Sequence, residues 1–79
     1  MRLIRMASLR PLKLREVLRA LQKLGFEKKR QSGSHALFFH SDGRRAVVPI
    51  HPTEEIGRGL LRKIIRECKV TVEEFLKCV

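Results

Sequence analysis

Seventy-nine residues suffice for one domain, since two cores of ordinary size would need roughly 100 residues or more. Lysine and arginine number 18 against 8 acidic residues, a formal charge of +10 with a pI near 10.9, so a polyanionic partner is expected. The length excludes cofactor folds built from several βαβ units, and 43% hydrophobic residues in periodic positions exclude low-complexity disorder.

Residues 1–11 read as a basic, loosely ordered leader ahead of a single domain over 12–79. They lack the apolar stretch of a secretory signal, and no apolar run approaches the ~20 residues of a membrane span. After Pro11 an apolar stripe of Leu14, Val17, Leu18, Leu21 and Leu24 predicts a helix that stops at Gly25. Residues 26–31 follow as an edge strand guarded by Lys28, Lys29 and Arg30. Residues 35–40, with Ala36, Leu37, Phe38 and Phe39, form the most apolar run and should be the central strand. Ser41-Asp42-Gly43 reads as a tight turn into a third strand over 44–49.

A second helix should begin near residues 57–59, with Leu61, Ile64, Ile65 and Cys68 inward and Arg58, Arg62 and Arg66 outward. Thr71-Val72-Glu73-Glu74 is a capping box opening a short last helix with Phe75 and Leu76. The expected fold is α+β, in the order αβββα: a three-stranded antiparallel sheet with helices on one face, plus the short C-terminal helix. Cys68 and Cys78 lack a CxxC spacing and read as reduced thiols, which suits a cytoplasmic protein.

Strand alternation sorts the central run into Ala36, Phe38 and His40 on one face and His35, Leu37 and Phe39 on the other. Pattern alone allows either phenylalanine to be the core one. If Phe38 is, His35 projects from the open face, just after a Ser32-Gly33-Ser34 turn. An acid/base group beside cations suits RNA cleavage: the base takes the 2′-hydroxyl proton, and cations hold the charge developing on phosphate. Neither metal nor cofactor is required. Candidate RNA contacts are Lys28, Lys29, Arg30, Ser34, Arg44, Arg45, Arg58 and Arg62. Leu37 and Phe39 would leave an apolar patch for a protein partner. The bland alternative makes His35 a strand-end histidine holding a structural hydrogen bond. His40 reads as a turn-flanking residue and His51 as a loop residue or second acid. The histidines and cysteines have no recognised zinc spacing, so no metal site is expected. Glu54-Glu55 reads as a helix-approach pair.

Several pieces in order give the chain a family likeness: Leu24-Gly25-Phe26, Gly33-Ser34-His35 with Phe38, His40-Ser41-Asp42-Gly43-Arg44, Val48-Pro49 with His51, Glu55-Ile56, Gly59-Leu60 and Thr71-Val72-Glu73-Glu74-Phe75. The chain resembles the HicA toxins, RNA-cleaving partners of HicB antitoxins, from about Leu12 to Leu76. The resemblance implies a fold similar to double-stranded-RNA-binding domains, His35 as the catalytic residue and Phe38 as the core one. It also implies ribosome-independent cleavage of mRNA, silenced by a HicB-like antitoxin. Thr53-Glu54 stands where the family often has Gly-Lys, and Leu60 where a threonine is common. A non-catalytic RNA-binding module is the competing reading, because such domains also place a histidine before the central strand. A DNA-binding protein lacks a convincing recognition helix here.

Overall fold

Leu12–Lys13 (β1) leads directly into α1, Leu14–Lys23. The Glu16 carboxylate accepts from the Lys13 N–H at 2.9 Å, which satisfies one of the free donors at the helix start. Val17, Ala20 and Leu21 are fully buried, so Ala20 joins the stripe that larger residues announced. The helix ends at Gly25, whose φ of 95° suits glycine. A Cβ there would lie 2.8 Å from His40 Nε2, so the chain also needs glycine for the close approach of that ring. The structure, a computed structural model, describes residues 9–50 and 55–79. Expectations about residues 1–8 and about His51, Pro52, Thr53 and Glu54 fall outside the described residues.

Three strands follow: β2 (Phe26–Ser32), β3 (His35–His40) and β4 (Arg45–Pro49). They form an antiparallel sheet in the order β2-β3-β4, with β3 central as expected. Glu55–Ile56 (β5) pairs with β1, a small second sheet that the sequence reading lacks. Helix α2 runs over Arg58–Cys68 and α3 over Val72–Leu76. The Thr71–Glu74 capping box is formed: Glu74 N–H donates to Thr71 Oγ1 at 3.0 Å, and Thr71 N–H to Glu74 Oε1 at 2.8 Å.

One apolar core joins the sheet to all three helices. It unites Val17 and Leu21 of α1 with Phe26, Ala36, Phe38, Ala46 and Val48 of the sheet. Leu61, Ile64, Ile65 and Cys68 of α2 and Phe75 of α3 belong to it too, as do Leu12, Ala20 and Ile56. The helices therefore cover one sheet face, the architecture expected from the sequence. Leu9, within the stretch expected to be a leader, is only 7% exposed and packs into this core.

Candidate active site

Cross-strand neighbours share a sheet face, so the register decides what surrounds His35. Ala36 and Phe38 are buried under the helices, which turns His35, Leu37 and Phe39 to the open face. Opposite them on β4 stand Pro49, Val47 and Arg45. Opposite them on β2 stand Ser32, Arg30 and Glu27. A register shift between Lys28 and Arg30 is a bulge, with two β2 residues facing one on β3. Unbroken alternation would put Arg30 opposite Ala36, on the helix side. The bulge moves it opposite Leu37, and moves Ser32 opposite His35.

The loop before β3 is two residues long, because Ser32 pairs directly with His35. Gly33 takes φ = 60°, the positive first position of a type II′ hairpin turn. The loop is tied down on both sides: Gln31 Nε2 donates to the Gly33 carbonyl at 3.1 Å, and Ile50 N–H donates to the Ser34 carbonyl. Ser34 is half-buried and His35 is exposed. Among the described residues the His35 side chain makes no hydrogen bond, so its ring nitrogens face outward unengaged. Arg30 is its diagonal neighbour, about 7–8 Å away between backbones, well within reach of a long side chain. Further along the face the Arg45 guanidinium lies 5.8 Å from the Phe39 ring centroid, a cation–π contact.

A family model described as the HicA toxin of bacterial toxin–antitoxin matches residues 14–70. The chain belongs to the HicA toxin family. Its α+β architecture, with sheet β2-β3-β4 and the short last helix, is consistent with the double-stranded-RNA-binding-like HicA fold. Membership gives a toxin's role and, in general terms, an antitoxin partner. Comparison with curated proteins finds no match. No helix among the described residues is long and apolar enough to cross a membrane.

The remaining cations of this HicA-family chain are dispersed. Lys28 sits opposite Phe38, on the helix side, and donates to Gln31 Oε1 at 3.0 Å. Lys28, Lys29 and Arg30 therefore do not form one cluster, since Lys28 lies on the helix side and Arg30 on the open face. Arg58 and Arg62 are exposed on α2, whose other side is buried against the sheet. They line the helical layer rather than the face carrying His35.

Arg44 departs furthest from the RNA-contact expectation. Its Nε donates to Asp42 Oδ2 at 2.9 Å, its Nη1 to the Cys68 carbonyl at 2.6 Å, and its guanidinium lies 5.3 Å from the Phe26 ring centroid. It fastens the β3–β4 turn to the end of α2. Glu67, unremarked in the sequence, accepts from the Val47 N–H at 3.0 Å and so caps the outer edge of β4. His40 packs edge-on to Phe26 at 5.2 Å, beside Asp42. Burial pushes the Cys68 thiol up to about 11, which leaves it unreactive at neutral pH. Among the described residues no group of three histidine, cysteine or acidic side chains could hold a metal ion.

These contacts separate two neighbouring arginines. Arg44→Ala should cost about 1.5–3 kcal/mol of stability, the usual worth of hydrogen bonds to a charged group, and leave RNA affinity alone. Arg45→Ala should do the reverse. The Arg44 side chain also holds the Asp42 carboxyl down to about 2, from 3.8. A depressed carboxylate stabilises the fold above its unfolded pKa, so this contribution is complete above about pH 4 and lost as pH falls through 2. Asp42→Asn should flatten that part of an acid-unfolding curve. A curve unchanged by the substitution would contradict the assigned link.

Proposed function

We propose that this HicA-family chain is a metal-independent RNA endonuclease that cleaves mRNA with His35 as acid and base. A HicB-like antitoxin holds it silent in the cytoplasm. The supporting observation is the exposed imidazole, without a hydrogen bond among the described residues, on a face that also carries Arg30 and Arg45. His35 takes the proton of the 2′-hydroxyl, and that oxygen forms a bond to the adjacent phosphorus. The bond from phosphorus to the 5′ oxygen breaks, and the departing oxygen receives the proton back from the imidazolium. The products are a 2′,3′-cyclic phosphate and a 5′-hydroxyl. Arg30, with Ser34 in the turn, holds the negative charge that grows on the phosphate oxygens, and Lys29, in the bulge, contacts a phosphate further along the strand. Arg58 and Arg62 add contacts only for an RNA that wraps onto the helical layer.

The same face suits an acidic protein. Leu37, Phe39 and Val47 are half-buried and flanked by Arg30 and Arg45, so an apolar centre slows release while complementary charge speeds encounter. An antitoxin seated there covers His35.

Incubation with RNA in excess chelator should yield fragments ending in 5′-hydroxyls. Binding should weaken with salt at a log–log slope of roughly −0.7 per phosphate neutralised on single strands. RNA that is bound but left whole would reject the nuclease reading in favour of a non-catalytic RNA-binding module.

A further inference from the structure

We propose that the cleft beside Phe39 is a nucleobase subsite, in which a base stacks on Phe39 and offers an amino group to Glu27. The inference rests on the reading of the open face as the RNA-binding face. Gly25, Glu27, Lys29, Phe39, His40 and Ser41 enclose about 430 Å³, within the roughly 300–1,000 Å³ of small-molecule pockets. It lies at the opposite end of β3 from His35. Four residues at about 3.3 Å each put Phe39 some 13 Å along the strand, so the base bound there belongs to a neighbouring nucleotide rather than the scissile one.

Three features of the cleft point to a base. Phe39 is the aromatic side chain of the open face, since Phe26, Phe38 and Phe75 are buried in the core. Arg45 already lies 5.8 Å from the Phe39 ring centroid, on the β4 side, and keeps a cation at hand for the adjoining phosphate. Glu27 stands directly opposite Phe39 and has no ion-pair partner among the described residues. A carboxylate on an otherwise basic face repels phosphate, so its use there is as an acceptor. Carboxylates accept from the exocyclic amino group of cytosine. Lys29 at the rim supplies the phosphate contact. Together these groups form one stacking position with a donor-seeking edge, which favours cytosine over uracil, a base of the same size with a carbonyl in place of that amino group.

The chain has no tryptophan, so Phe39→Trp creates a single fluorescent reporter inside the cleft. Saturating oligocytidylate should quench it, and oligouridylate should bind at least fivefold more weakly, in line with one base-edge contact. Glu27→Gln should narrow that difference. Phe39→Leu keeps the apolar volume but loses the ring, and should weaken oligocytidylate binding by roughly five- to 150-fold. Oligomers that bind without quenching, equal affinity for the two, or a Phe39→Leu protein that binds as tightly as the parent would overturn the subsite. If Phe39→Trp itself fails to bind, the Phe39→Leu comparison decides. A Phe39→Trp protein quenched by oligocytidylate, beside a parent that cleaves no RNA, would instead strike the nuclease reading and leave the subsite standing.

Discussion

His35→Ala should slow RNA cleavage by about 10²–10⁴-fold, the usual loss when a general acid–base group is removed, and growth arrest on expression should disappear with it. The fold should survive. His35 is exposed and makes no hydrogen bond among the described residues, and such surface substitutions usually change stability by no more than about 0.5 kcal/mol. RNA affinity should also persist, since Lys29, Arg30 and Arg45 remain in place. Single-turnover rates with matched melting curves check the pair of expectations. A variant that cuts at the parental rate would remove His35 from the chemistry.

Phe75→Ala should be the most damaging core change. Phe75 is 0% exposed and is the only fully buried residue of α3, so its ring is what anchors that helix. Truncating a buried phenylalanine costs about 3–5 kcal/mol. A domain of this length has roughly 4–12 kcal/mol in all, at the usual stability per residue. Phe75→Ala should therefore lose about a quarter or more of that stability and weaken toxicity through a smaller folded population, a reason distinct from His35→Ala. Urea unfolding should show a midpoint shift larger for Phe75→Ala than for Leu76→Ala, which removes a half-buried neighbour. Equal shifts would contradict the anchoring role. The α2–α3 junction supports that role: Lys69 adopts φ = 59°, a left-handed stop that lets the chain turn back toward the core.

The central strand was legible because residues 36–39 are the most apolar run of the chain and a tight Asp-Gly turn follows. Residues 35–40 have the expected bounds, and burial of Ala36 and Phe38 resolves which phenylalanine faces inward. The helices were legible from their stripes and from the Thr71 capping box. What escaped the sequence depends on pairing across distance. The bulge lies in a run of Glu27, Lys28, Lys29, Arg30 and Gln31, all polar, so no hydrophobic period exists to show the skipped residue. The Arg44 link to the Cys68 carbonyl spans 24 residues, and its local sequence is that of any arginine after a turn. The two-residue strands β1 and β5 are too short to carry a period. Leu9 is one apolar residue in a basic stretch, and only the packing reveals it as core. Glu27 was hidden similarly: an acid among lysines reads as solvation until the register puts it opposite Phe39.

The bulge has a functional consequence for the proposed chemistry. Straight pairing would have left His35 with Gln31 opposite and no arginine diagonal to it on its own face. With the bulge, Arg30 becomes that diagonal neighbour while Lys28 stays on the helix side.

One substitution in the substrate tests the proposed chemistry most directly. An RNA oligomer of mapped cleavage position is made with a single 2′-deoxyribose on the 5′ side of the scissile phosphate, and cleavage is followed alongside the all-ribose parent. Removing that hydroxyl removes the nucleophile that His35 is proposed to activate, so the modified oligomer should bind as the parent does and remain whole at that position. Cleavage at the same phosphate and comparable rate would contradict the 2′-hydroxyl mechanism and the role given to His35.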